Sequence, residues 1–250
     1  MSSAYGSVAK PAMDNVDPAK LAAVLETLRF HPASRPESVL AIVPVPSARP
    51  LSPTLLAYLQ SLLNHEIRAG NTYPQEFELD AAGFAAYFLS ADAFLAILWP
   101  KSQALRKSES LSTWTADQCA AHIAGMFYVK QNYPGRSSHI CNGGFITAPQ
   151  FRIGLGVGRA MALSFLRVAP LLGYCASVFN LVYTSNEASV RLWSAFGFKE
   201  IGRVPQAGRL RTKDGKEEFT DAIVFYFDFL NWAAPALELY NKPRGPVAKL

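Results

Sequence analysis

The stretch 152–160, RIGLGVGRA, contains three alternating glycines, and this spacing could form a turn that binds a ligand. Gly154, Gly156 and Gly158 carry no Cβ atom, so several backbone N–H groups of one short turn can point at the same anion. The pattern G-x-G-x-G differs from the G-x-G-x-x-G of dinucleotide-binding loops, and Arg159 stands where a P-loop has its lysine. Two interpretations stay open: a loop that holds a pyrophosphate at the start of a helix, and a turn that only joins a strand to a helix.

The segments after this loop predict an ordered set of elements. Residues 158–172 have the apolar spacing of a helix, with Pro170 and Gly173 as stop signals. A β-rich run follows at 176–184, and Asn186 then stands at the start of a second helix that continues to Phe196. This order of strand, glycine loop, helix, strand and Asn-led helix is more specific than the loop alone.

The elements that must position these residues follow from periodicity and from caps. Ser52 and Pro53 predict the start of a helix that Gly70 ends, and Asp80 predicts the cap of another. Strands are predicted at 39–45, 93–99, 122–130, 140–147, 198–204 and 221–229, with a hairpin signal at 132–136 and a charged turn or loop at 211–219. We therefore expect a mixed α/β (α+β-like) fold, in which a central mixed sheet is flanked by helices.

Composition limits the class of protein. The chain has 250 residues, of which 50% are hydrophobic, and this predicts one domain at 38–240 between an N-terminal extension at 1–37 and a C-terminal tail at 241–250. The net charge of +5 is spread along the chain, so it does not support nucleic-acid binding. Asp92 interrupts the apolar window 81–100, which argues against a membrane span. We expect a cytoplasmic protein without a leader segment and, because its Cys and His residues are not paired by spacing, without a metal.

Taken together, the glycine loop and the Asn-led helix resemble the GCN5-related N-acetyltransferase (GNAT) superfamily. The strings GNTYPQ, FYVKQNYPGRSSHICNGGF, APLLGY, FNLVYTSNEAS and IGRVPQAG are similar to the fungal azetidine-2-carboxylate (proline analogue) N-acetyltransferases over residues 39–223. The resemblance implies a mostly antiparallel sheet with splayed central strands, acetyl-CoA as co-substrate and a possible homodimer. It also implies acetylation of small cyclic secondary amines that carry a carboxylate.

On this resemblance, acetyl-CoA binds along one strand, the glycine loop and the start of a helix. The implied residues are Phe145, Ile146, Thr147, Arg152, Gly154, Leu155, Gly156, Val157, Gly158, Arg159 and Asn186. Ile153 departs from the superfamily pattern, which usually has Gln or Arg three residues before Gly156. Trp193 stands where many members have a tyrosine that protonates the thiolate, and an indole N–H is a poor acid. The backbone and the helix dipole must then hold most of the anion, with Arg152 and Arg159 assisting.

Polar residues in the predicted strands are the candidates for catalysis and for acceptor binding. Asn142 precedes two glycines, and we predict that it orients the acceptor; Asn186 is predicted to donate to the sulfur or to the pantetheine. Asn180 with Leu181 is predicted to face a ligand carboxylate, and Tyr73 to close one wall. A turn or cap role for the asparagines, a backbone partner for Asn180 and ordinary packing for Tyr73 stay open.

The charges of these segments predict the acceptor class. No Asp or Glu occurs at 128–150 or 176–186, whereas Lys130 and Arg136 are present, so an anionic or zwitterionic small amino acid fits better than a polyamine or a histone lysine. A peptide N-terminus or lysine as acceptor, and an inactive CoA-binding module, are the alternatives. We expect direct attack in a ternary complex, in which the proton leaves through water or through His139.

Overall fold

The computed structural model describes residues 17–45, 51–102 and 108–232. Within these residues eight strands form one sheet in the order β1-β2-β3-β4-β5-β6-β8-β7. The strands are β1 (Arg29–Phe30), β2 (Ser38–Pro44), β3 (Asp92–Pro100), β4 (Ile123–Gln131), β5 (Ile140–Thr147), β6 (Ala176–Tyr183), β7 (Lys199–Arg211) and β8 (Glu217–Asp228).

Helices cover both faces of this sheet. They are α1 (Pro18–Thr27), α2 (Pro53–Ala69), α3 (Ala81–Phe84), α4 (Ala116–His122), α5 (Val157–Leu171) and α6 (Glu187–Ala195). Phe145 of β5 packs against Phe165 of α5 and Trp193 of α6, whereas Tyr128 of β4 packs against Phe88, just after α3. Side chains of a strand alternate between its faces, so α5 and α6 lie on one face and α3 on the other.

Local signals place most of these elements where the sequence predicts them. The Ser52 hydroxyl accepts from the N–H of Leu55 at the start of α2, and Gly70 ends that helix in the left-handed conformation with φ 67°. The Asp80 carboxylate caps α3. The apolar window 81–100 forms α3, a π-helical turn and β3, and no helix of the described residues is long and apolar enough to cross a membrane.

The pairing of the central strands opens the sheet. β5 pairs with β4 along its whole length, but its parallel pairing with β6 is limited to Ile140 with Ala176 and Cys141 with Ser177. Beyond these pairs the two strands separate, and we call this gap the β5–β6 opening. The other neighbouring strands pair antiparallel, which confirms the mixed, mostly antiparallel sheet.

Two segments differ from the predicted secondary structure. Helix α4 is absent from it, although Thr115 and Gln118 form a reciprocal capping box. The expected loop at 211–219 is wrong: β7 and β8 leave only 212–216 as a turn. Charged side chains are stable on this exposed hairpin because they pair across it, as Arg209 does with Glu217 at 3.0 Å.

The predicted N-terminal extension contains ordered elements. β1 pairs with β2, and Leu28 and Phe30 are buried in the main core at 0% and 2% exposure. Residues 1–16 and the tail at 241–250 lie outside the described residues. The division at residues 37 and 240 stays a prediction.

Candidate active site

The glycine loop forms an open turn between β5 and α5. Gly154 and Gly156 have φ values of 83° and 65°, in the left-handed region that favours glycine. Gly156 is the N-cap of α5 and, as a glycine, makes no side-chain cap hydrogen bond to that helix. A Cβ at Gly158 would have only Leu192 and Thr147 as neighbours, both at 4.0 Å. The loop therefore offers backbone donors and free space beside a helix N-terminus, which suits a pyrophosphate.

The side chains of this loop contribute less than its backbone. The Arg152 guanidinium is held in an ion pair with Glu66 of α2, and the Arg159 guanidinium lies 5.6 Å from the centre of the Phe196 ring. Ile153 is 92% exposed. Leu155 and Val157 are buried, so their side chains anchor the loop.

The backbone of β5 presents alternate residues to the opening. The Asn132 N–H donates to the Ile140 carbonyl and the Ala148 N–H to the Ala124 carbonyl, both at 2.9 Å. In the antiparallel register with β4, the even-numbered residues of β5 therefore bond to β4. The N–H groups of Phe145, Ile146 and Thr147 are the predicted backbone contacts of acetyl-CoA. Those of Phe145 and Thr147 face the β5–β6 opening, whereas that of Ile146 faces β4.

An asparagine network spans the opening. The Asn180 amide donates to the Asn132 Oδ1 at 2.7 Å, and the Asn132 amide donates to the Asn180 Oδ1 at 3.1 Å. The Asn142 amide donates to the same Asn132 oxygen at 3.4 Å, and the Asn142 Oδ1 accepts from the Gly143 N–H at 2.7 Å. The structure thus brings the predicted Asn142 and Asn180 together, through a residue that the sequence reasoning read only as part of a hairpin.

A β-bulge interrupts the pairing of β6 with β8 near the end of β6. The register with β8 shifts between Phe179 and Val182, so Asn180 and Leu181 lie at an irregularity of the strand. Leu181 is 40% exposed, and the Tyr133 hydroxyl donates to the Asn180 Oδ1 at 3.4 Å. In the structure Asn180 has side-chain partners, whereas the sequence predicts a ligand carboxylate or a backbone group, and Tyr133 is a second residue that the sequence reasoning missed.

The face of the sheet that carries Tyr128, Lys130 and Asn142 is here called the acceptor face. Lys130 lies opposite Asn142 in the β4–β5 register and is half-buried. Desolvation lowers the pKa of its ammonium group. Among the described residues no carboxylate forms an ion pair with Lys130.

Phenols border the same face. Tyr73 is half-buried, and desolvation raises its pKa well above the ordinary value, with Tyr87 and Glu66 contributing. Desolvation, Tyr87 and Tyr73 likewise raise the pKa of Tyr128. A Cβ at Gly144 would overlap the Cε1 and Cζ atoms of the Tyr128 ring, so glycine is needed there for the close approach. These neutral phenols suit a wall better than a base.

Helix α6 supplies the other side of the opening. The Asn186 Oδ1 accepts from the Ser189 N–H at 3.2 Å, so this side chain is the N-cap and its amide nitrogen remains for a ligand. The Trp193 indole donates to the Ser189 hydroxyl at 3.0 Å and is 3% exposed within the aromatic cluster around Phe145. Trp193 therefore packs behind β5, and its indole N–H, a poor acid that is bound to Ser189, does not take the role of the tyrosine that protonates the thiolate.

Other groups do not form a reactive centre. Cys141 is buried and burial raises the pKa of its thiol, which disfavours the nucleophilic thiolate. His139 is exposed, and its carbonyl accepts from the Cys175 N–H at 2.9 Å. Within the described residues no group of His, Cys, Asp and Glu could hold a metal ion.

Comparisons with known proteins match most of this chain. N-acetyltransferase aca1 of Schizosaccharomyces pombe is 36% identical over 184 residues, which are 74% of this chain and 82% of that protein. No model of a protein family matches.

Two solved structures share the fold. The GCN5-related N-acetyltransferase of Kribbella flavida has a TM-score of 0.58 and 23% identity, covering 76% of this chain and 97% of that chain. The yncA structure of Salmonella typhimurium, solved with its cofactor acetyl-CoA, has a TM-score of 0.56 and 16% identity, covering 79% and 98%. These likenesses confirm the predicted fold class.

Proposed function

Because the chain belongs to the GCN5-related N-acetyltransferase superfamily, we propose that it transfers acetyl from acetyl-CoA to a small amino acid, preferably a cyclic one. Azetidine-2-carboxylate and a hydroxyproline are the model acceptors. The enzyme class and the co-substrate are those of the superfamily, as predicted. The observation that carries the acceptor class is Lys130, a half-buried cation without a carboxylate partner among the described residues, opposite Asn142.

Acetyl-CoA fits the glycine loop and the opening together. Its pyrophosphate would accept from the backbone N–H groups at 155–159, where the dipole of α5 favours negative charge. The thioester oxygen would then accept from the Phe145 or Thr147 N–H, which face the opening. The Asn186 amide, at the start of α6, would donate to the sulfur or to the pantetheine.

The acceptor would bind at the acceptor face, on the side of the β5–β6 opening that is opposite α5 and α6. Its carboxylate would pair with Lys130, since an ammonium without a counter-charge gains most from an anionic ligand. Asn142 and Asn180 would orient its nitrogen toward the thioester. The neutral amine attacks the carbonyl carbon, the C–S bond breaks, and the amine proton leaves through water. We propose no covalent intermediate, because Cys141 is buried.

Release of the CoA thiol in the presence of different amines tests this proposal. Azetidine-2-carboxylate should be acetylated with a higher kcat/KM than azetidine, because the amine without a carboxylate leaves Lys130 unpaired. Equal kcat/KM values for the two acceptors would exclude a carboxylate subsite.

The same assay separates the alternative functions. Preferred turnover of a peptide N-terminus or of a peptide lysine would identify a protein acetyltransferase. Binding of CoA without turnover of any amine would identify an inactive binding module. The predicted homodimer and cytoplasmic location stay predictions; light scattering of the purified protein tests the first.

A further inference from the structure

Glu66 is a buried carboxylate that lies in the last turns of α2. It is 7% exposed, and burying a charge is costly unless the charge is paired. The position is also unfavourable for the helix itself, because the C-terminal end of a helix carries partial negative charge. The stabilisation of Glu66 therefore depends on its two partners outside the helix.

These two partners belong to the two loops of the proposed active site. One carboxylate oxygen accepts from the Arg152 guanidinium, and the other accepts from the Thr72 hydroxyl at 2.9 Å. Arg152 is the first residue of the glycine loop, and its Nε also donates to the Thr147 carbonyl at 3.5 Å, at the end of β5. Thr72 precedes Tyr73 in the α2–α3 loop, beside the acceptor face.

We propose that Glu66 is a positioning residue that couples acetyl-CoA binding to acceptor binding, through Arg152 on one side and Thr72 on the other. The inference rests on the proposed function, since it takes acetyl-CoA and a small amino acid as the two ligands. Ordering of the glycine loop by CoA fixes Arg152 and Glu66, which in turn fixes Thr72 and the loop that bears Tyr73. Thermodynamic linkage makes the effect reciprocal, so each ligand tightens the binding of the other by the same factor.

Calorimetry with CoA as the probe measures this coupling without turnover. CoA is titrated into the full chain without and with saturating azetidine-2-carboxylate. For the wild-type chain we expect the amino acid to increase CoA affinity by about five- to 150-fold, the usual range of such couplings.

Thr72→Val is the decisive variant. Valine keeps the shape of threonine but cannot donate to Glu66, while the Glu66–Arg152 pair remains. The affinity for CoA alone should stay within about twofold, whereas the increase caused by the amino acid should fall to about onefold. Glu78→Gln is the matched control. Glu78 lies in the same loop as Thr72, and the substitution removes its exposed ion pair with Arg68. That variant should keep the wild-type coupling.

Glu66→Gln extends the test to both loops, and it should weaken CoA binding as well as the coupling. Thermal unfolding monitors whether each variant is folded. Coupling that is absent in the wild type, or that survives in Thr72→Val, would overturn the role of Glu66 and leave the proposed function intact. A wild-type chain that binds CoA but no amino acid would overturn both.

Discussion

Replacement of Lys130 by methionine tests the acceptor subsite most directly. Methionine keeps an unbranched apolar stem of similar length and removes only the ammonium group. A hydrogen bond to a charged group contributes about 1.5–3 kcal/mol. Since about 1.4 kcal/mol corresponds to a factor of ten, kcat/KM for azetidine-2-carboxylate should fall by about ten- to 150-fold.

The wild-type chain and Lys130→Met, each assayed with azetidine-2-carboxylate and with azetidine, form a cycle analogous to a double-mutant cycle. For azetidine, which has no carboxylate, Lys130→Met should change kcat/KM by no more than about twofold, because no charge pair is lost. Lys213→Met is the control, since Lys213 is exposed in the β7–β8 turn. The reasoning is refuted if Lys130→Met keeps wild-type kcat/KM for azetidine-2-carboxylate, or loses the same factor for both acceptors.

The pH dependence and the stability of the variant give independent checks. The ammonium form binds the carboxylate, and desolvation lowers the pKa of Lys130. The preference for azetidine-2-carboxylate should therefore be complete below that pKa and decline, as pH rises, earlier than for an exposed lysine. Because the ammonium of Lys130 is half-buried, its removal should not lower the Tm of the ligand-free chain, and only a Tm near the assay temperature would indicate that the lost activity reflects unfolding.

Four further substitutions test other parts of the structure. Gly158→Val should raise the KM for acetyl-CoA in a folded protein, because the new side chain occupies the space before α5; unchanged CoA binding by calorimetry would remove the pyrophosphate assignment. Gly208→Ala should lower the free energy of unfolding by about 1–3 kcal/mol, since a Cβ there would lie 2.5 Å from the Tyr183 ring. Gly202→Ala, with nothing within 4 Å, should leave urea unfolding unchanged. His139→Gln should keep turnover, because this side chain is exposed; loss of turnover in a folded variant would make it the base.

Some elements were predictable because their signals are local. A cap and a terminating glycine lie within a few residues of the helix that they bound, as Ser52 and Gly70 do for α2. The same holds for Asn186, whose capping role was one of the two readings kept open. The Thr115 to Gln118 capping box shows that α4 also had a local signal, although the prediction did not use it.

The length of the last hairpin was not predictable from composition. The segment 211–219 is charged, and charged residues at consecutive positions favour a turn when each is considered alone. In the folded chain they occupy an edge strand and its partner, where Arg209 pairs with both Glu217 and Glu76. Cross-strand pairing depends on which strands become neighbours, and local pattern does not contain that information.

The sequence by itself determined the family resemblance, the glycine loop and the absence of acidic residues at 128–150 and 176–186. Each of these depends on the type and spacing of neighbouring residues. Only the tertiary structure decided that Asn132 joins Asn180, 48 residues away, and that Arg152 pairs with Glu66, 86 residues away. Such contacts are fixed by sheet order, strand register and the splaying of β5 from β6, and these follow from packing of the whole core rather than from any local stretch.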